Sequence, residues 1–171
     1  MRSVEEVEKV VRAYADRTKR GLRNIAIRRE EDTGATWVAA SFPHPLDRES
    51  EVMVVLHPRD EARVFRVQCM NFARLLDSDL LQELLDERSF DGILGHLLIQ
   101  RKCGNEICRL DLPVEEPSDP SPQIIDRLLD DAIRATRALV RATATMTLKK
   151  ALCISVEAAQ RAVDGIFEEE Q

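Results

Sequence analysis

Glycine, aromatic residues and cysteine are all scarce in this chain, and each scarcity excludes a kind of chemistry. The six glycines (Gly21, Gly34, Gly92, Gly95, Gly104 and Gly165) never approach the spacing of a phosphate loop or a dinucleotide fingerprint. Neither a nucleophile elbow nor a helix bearing two zinc-binding histidines is present. With one Trp and one Tyr, stacking platforms for single-stranded nucleic acid are sparse. No apolar run reaches the ~18 residues of a membrane helix, so no membrane association is expected. The net charge of -6 disfavours bulk attraction to nucleic acid or anionic lipid.

The four cysteines, Cys69, Cys103, Cys108 and Cys153, sit in apolar or alternating segments, where Cys behaves as a small hydrophobe. Cys103 and Cys108 lack the second knuckle or nearby His of a metal site. Reduced structural thiols are expected, with no metal and no cofactor. Glu5, Glu6 and Glu8 stand where a signal peptide would be apolar, so the expected location is cytoplasmic.

What is present is a foldable balance of 44% hydrophobic and 33% charged residues over 171 positions, suited to one core. Ser3 and Glu6 form a capping-box pattern ahead of Val4, Val7, Val11 and Tyr14 at helical spacing, and Gly21 is the expected helix stop. The period then falls to two. Four strands are expected: around Ile25 and Ile27, from Trp37 to Phe42, from Val52 to Leu56, and from Val64 to Met70. A turn is expected at Glu31–Gly34, and Pro43 and Pro45 should end the second strand. A helix capped by Asp77 or Ser78 follows, with Leu80, Leu81, Leu84 and Leu85 inward. A hairpin around Gly104-Asn105 would set Ile99 against Leu110 and Leu97 against Leu112.

Prolines at 113, 117, 120 and 122 make an extended connector, and Ser121-Pro122 is a good helix start. Ile125, Leu128, Leu129, Ala132, Thr136, Leu139 and Thr143 share one helix face, and Asp130 and Arg134 are spaced for an i,i+4 pair. Thr143, Thr145 and Thr147 weaken the helix before a last segment, Ser155 to Phe167, with Val156, Ala159, Val163 and Ile166 on one side. The expected fold class is α+β: an antiparallel sheet of about six strands with helices packed on one face, in the order α-β-β-β-β-α-β-β-α-α. The expected division is a domain over 1–147 and a C-terminal helical extension over 148–171.

Candidate chemistry is thin. His44, His57 and His96 fall in different elements, and the carboxylates of Asp126, Asp130 and Asp131 lie among Arg127 and Arg134 as on a solvated ion-pair face. Two acid-free basic stretches, 17–29 and 134–150, could hold an anion or nucleic acid, or could simply complement helix dipoles and solvate surfaces. Some strands are apolar on both sides. Helices on one side of the sheet would leave part of this surface open as a patch of the kind that marks interaction sites, or the last helix would cover that second face within the same chain. Trp37, Phe42, Met53 and Val55 are the candidates for a receptive face, with Val163, Ile166 and Phe167 on the last helix for a twin chain or partner.

The element order, with GHLLIQRKCGNEICRLDLP followed by a Pro-rich link and a long helix, resembles the YbjN-type family over about Val4 to Val140. That family shares its fold with type III secretion chaperones. The resemblance implies an antiparallel sheet flanked by helices, often dimeric, that binds or regulates other proteins. It supplies no site residues, and the segment after Thr147 departs from the short chaperone pattern. The expected function is therefore a non-enzymatic protein-binding module, chaperone-like or regulatory. It would take a partner segment on a sheet face or edge and would form a homodimer. The alternative is an anion- or nucleic-acid-responsive regulator using the two basic stretches.

Overall fold

A computed structural model describes residues 3–57, 64–72, 79–80, 96–102, 105–113 and 120–168. Helix α1 (Val4–Arg17) begins on the expected capping box. The Glu6 N–H donates to Ser3 Oγ at 3.3 Å, and the Ser3 N–H donates to Glu6 Oε2 at 3.0 Å. These bonds satisfy two of the amide groups that a helix start leaves over. The helix ends at Thr18, in extended backbone, before Gly21 is reached. Gly21 instead serves the turn into the sheet. It has φ +72, and a Cβ there would stand 3.2 Å from Pro43 Cδ.

Strands β1 (Arg23–Arg29), β2 (Thr36–His44), β3 (Asp47–His57), β4 (Val64–Met70), β5 (His96–Lys102) and β6 (Asn105–Pro113) pair antiparallel in the order β1-β2-β3-β4-β6-β5. The first four form the expected meander; β6 then lies beside β4, with β5 outside it. Two local rules were overridden. Pro43 does not end β2, because the pairing shifts between Pro43 and His44, and at a bulge the missing proline N–H leaves no gap in the ladder. In β1 the register slips between Arg23 and Ala26, where Asn24 adopts φ 56, a conformation asparagine tolerates.

The β5–β6 hairpin pairs Ile99 with Cys108 and Leu97 with Leu110. This is two residues from the expected register, because Lys102 pairs with Asn105 and so moves Asn105 from the tip into the ladder. The expected helix over Asp77–Arg88 lies outside the described residues apart from Asp79 and Leu80.

Helix α2 (Pro122–Leu152) starts at Ser121, whose Oγ accepts the Ile124 N–H at 3.3 Å, with Pro122 in the first turn. Its expected inward face is buried throughout. The threonines do not break it: Thr143, Thr145 and Thr147 donate their hydroxyls to the carbonyls of Leu139, Arg141 and Thr143 at 2.8–2.9 Å. Such back-bonding satisfies the hydroxyl inside the helix, which propensity alone does not count. The helix therefore runs through the expected boundary at 147/148 and ends at Cys153, in left-handed backbone. Helix α3 (Val156–Glu168) then packs back on α2.

α1 and α2 cover one face of the sheet. Val7, Val11 and Tyr14 of α1 and Ile125, Leu128, Leu129 and Leu139 of α2 share a core with Val38, Ala40, Phe42, Val54, Leu56, Phe65 and Val67. Full burial of each Val, Leu, Ile or Phe among them is worth roughly 1.5–3 kcal/mol. Charged clamps hold the helices together: Arg17 meets Asp126 at 2.5 Å and Arg20 meets Asp130 at 2.8 Å. The expected Asp130–Arg134 pair is replaced, since Arg134 pairs with Asp131 at 2.7 Å and Asp130 is taken by Arg20. Asp131 itself is buried, not part of a solvated face.

Tyr14, the chain's single tyrosine, donates its hydroxyl to Asp130 Oδ1 at 3.3 Å. Burial, reinforced by the Asp130 charge, pushes its pKa up to about 12. The neutral phenol is thus favoured by the fold, and a free tyrosine titrates near 10. The stability tied to that proton is fully present below pH ~10 and is lost as the pH rises through about 12. A 295 nm absorbance titration should show one transition with its midpoint near 12, falling toward the ordinary value in Asp130→Asn.

Candidate functional site

Among the described residues no helix covers the other side of the sheet, which forms a cleft of about 520 Å³ across β1 to β4. Period-two alternation builds its floor from the residues between those of the core: Trp37, Ala39 and Ser41 on β2, Met53 and Val55 on β3, Gln68 and Met70 on β4. Cross-strand pairing lays them in rows. Ala39, Val55 and Gln68 are neighbours, as are Ser41, Met53 and Met70. Trp37 stands at one end, its ring 6.0 Å from that of His57. Asn24 lies at the other end. Its amide reaches Ser41 Oγ and Glu51 Oε2, both at 3.0 Å, while Arg23 meets Glu51 at 2.6 Å. Hydrogen bonding with Ser41, with Arg23 beside it, holds the Glu51 carboxyl below its ordinary pKa.

Three of the four residues expected on this face line the cleft, Trp37, Met53 and Val55, though Val55 is buried at its base and only Trp37 and Met53 offer surface. Phe42 is not among them. It is an odd number of residues from Trp37, so the pleat turns it to the helix side, where it is fully buried under Arg137. Ala39 and Met70, which complete the floor, were missed; both were legible as period-two neighbours of Trp37 and Gln68. His57 and Glu51 both line the cleft, but they are six residues apart on one strand, roughly 20 Å at the usual rise. That separation is too great for a shared proton-transfer step.

The last helix also divides its candidates. Val163 is buried and so is not a docking residue, because α3 turns its face onto α2. Phe167 is half-buried beneath the Arg141 guanidinium, 5.7 Å from the ring centroid. Ile166 is 49% exposed, as is Val156 at 41% and Leu152 at 60%. Cys153 is exposed beside Leu152 rather than sheltered, while Cys69 is buried; Cys103 lies outside the described residues.

The two basic stretches partly converge. Arg20 from the first and Arg134, Arg137 and Arg141 from the second line one cleft of about 480 Å³ with Gln160 and Phe167. Arg28 lines the outer sheet cleft instead, and Lys149 and Lys150 lie in the last turn of α2.

Comparison of the sequence with protein families and curated proteins, and of the fold with solved structures, returns no match. No described helix is long and apolar enough to cross a membrane.

Proposed function

We propose that this chain is a non-enzymatic protein-binding module, chaperone-like or regulatory, of the YbjN and type III secretion chaperone kind, acting in the cytoplasm. Its outer sheet face receives an apolar-anchored segment of another protein. The observation that carries this reading is a cleft that no described element covers, lined by Trp37, Met53 and Met70 over the buried Val55, on a sheet whose opposite face already holds the core. Apolar surface of this kind gains by being covered, and methionine side chains adapt to varied partners. Arg28 and Glu51 at the cleft provide charges of both signs to orient the incoming segment. Homodimerisation is the companion expectation, and β5, outermost beside β6, is the strand suited to pairing with a twin chain.

Trp37 is the only tryptophan and lies on the proposed face, so it reports occupancy directly. The wild-type chain should recover a stoichiometric protein partner from native lysate, and the purified partner should shift Trp37 emission to shorter wavelength. Met53→Glu should lose the partner while keeping the melting midpoint, because Met53 is outside the core. A partner retained in full by Met53→Glu with Trp37 emission unmoved would refute this face. Molecular mass in solution reads the dimer.

A further inference from the structure

The two charges lining the outer sheet cleft, on Arg28 and Glu51, are held in different ways. Glu51 is neutralised from within. Arg23 meets it at 2.6 Å, and Asn24, in left-handed backbone at φ 56, turns its amide to Glu51 Oε2 at 3.0 Å. Arg28 is exposed, and among the described residues no hydrogen-bond or ion-pair partner holds its guanidinium. The acid two residues on, Glu30, accepts the Thr33 hydroxyl instead. Of the two, the charge left uncompensated is therefore the positive one.

Register sets Arg28 beside Trp37, whose ring meets that of His57 at 6.0 Å, so this charge stands at the aromatic end of the cleft. Four residues along β2 from Trp37, Ser41 lies in one row with Met53 and Met70. Four strand residues rise roughly 13 Å. A segment covering Trp37 and the methionines strips water from Arg28 as well. An apolar or basic segment would leave that charge unpaired at a cost, whereas one bringing a carboxylate would compensate it. The planar fork of a single guanidinium matches one carboxylate, whereas phosphate groups are met by clusters of arginines. The net charge of -6 does not forbid an acidic partner, because at physiological salt screening acts within about 8 Å and the charges nearest the contact decide.

Same-side residues of an extended segment recur every two positions, so an acid at Arg28 and an apolar anchor over Met53 and Met70 fall four positions apart. A helix of that length, about 10–12 Å across, would overfill the 520 Å³ of the cleft. We propose, on the reading of this face as a docking surface, that its occupant is an extended acidic–apolar segment of another protein. An Asp or Glu carboxylate of that segment pairs with Arg28, and an apolar side chain four positions away lies over Met53 and Met70.

Panning of the full chain with phage-displayed random decapeptides at 0.15 M salt tests this, and Trp37 emission then measures the affinity of the selected peptides. They should carry Asp or Glu four positions from a large apolar residue and bind one per chain. Arg28→Gln should weaken them about tenfold, the usual cost of losing a charge-assisted contact. Arg28→Glu should reject them and accept the same peptides with the acid changed to Lys. Arg29→Glu makes the same charge change at an equally exposed neighbour that alternation turns to the other side of β1, and it should bind as wild type. Peptides that Met53→Glu abolishes but that show no enrichment in acids, or that Arg28→Glu and Arg29→Glu weaken equally, overturn the acidic partner and leave the docking face standing. Peptides indifferent to Met53→Glu, or none selected at all, remove the face and the proposal together. A single-stranded oligonucleotide that displaces the peptides with a steep salt dependence, the mark of a nucleic-acid surface, also overturns it.

Discussion

Phe42→Ala should destabilise the fold by about 3–5 kcal/mol, the range for truncating a fully buried aromatic side chain. Phe42 has no exposed surface and packs with Val38, Ala40, Val52, Val54 and the α2 face. Its ring also carries the Arg137 guanidinium at 5.6 Å, so truncation leaves a cavity below and removes a platform above. Since domains of this size are stable by only ~5–15 kcal/mol, a large share of the total is at stake. Urea denaturation should show the midpoint falling steeply with the slope nearly unchanged. Met53→Ala should cost far less, because Met53 lies on the open face. Equal losses for the two variants would mean that the faces have been assigned the wrong way round.

His44→Leu should cost about 2–4 kcal/mol, by a different mechanism. His44 is 1% exposed. Its Nδ1 accepts the Leu46 N–H at 3.1 Å, so in the neutral ring the proton resides on Nε2, which donates to the Phe72 carbonyl at 2.8 Å. The ring thus joins the end of β2 to the chain just after β4. Leucine fills similar space but leaves a buried amide and a buried carbonyl without that partner. His44→Gln, which can accept and donate at once, should recover part of the loss. The same urea measurement, made on all three proteins, separates lost hydrogen bonds from lost volume.

These expectations rest on features of unequal legibility. The helix starts at Ser3 and Ser121, the inward face of α2 and the span of β4 could all be read from short-range spacing, because caps and periodicity act within a few residues. The apolar character of both sides of β2 and β3 was likewise evident. Which side faces the helices was not, since alternation defines two faces without ranking them. Phe42 was misplaced for a different reason: it was grouped with Trp37 although, five residues away, alternation already sets it on the opposite face. The buried role of Val163 was hidden: an apolar stripe on α3 looks the same whether it covers the chain's own helix or a partner.

The sequence by itself determined where most described elements begin, their helical or extended character, and the presence of two separate basic stretches. Tertiary structure alone decided that β6 adjoins β4, that α3 folds back on α2, and that Arg20 shares a cleft with Arg134, Arg137 and Arg141. The reason is the range of the forces. Caps, turns and periodicity are written between near neighbours, whereas the convergence of distant charges depends on how the apolar faces of α1, α2 and the sheet come together to exclude water.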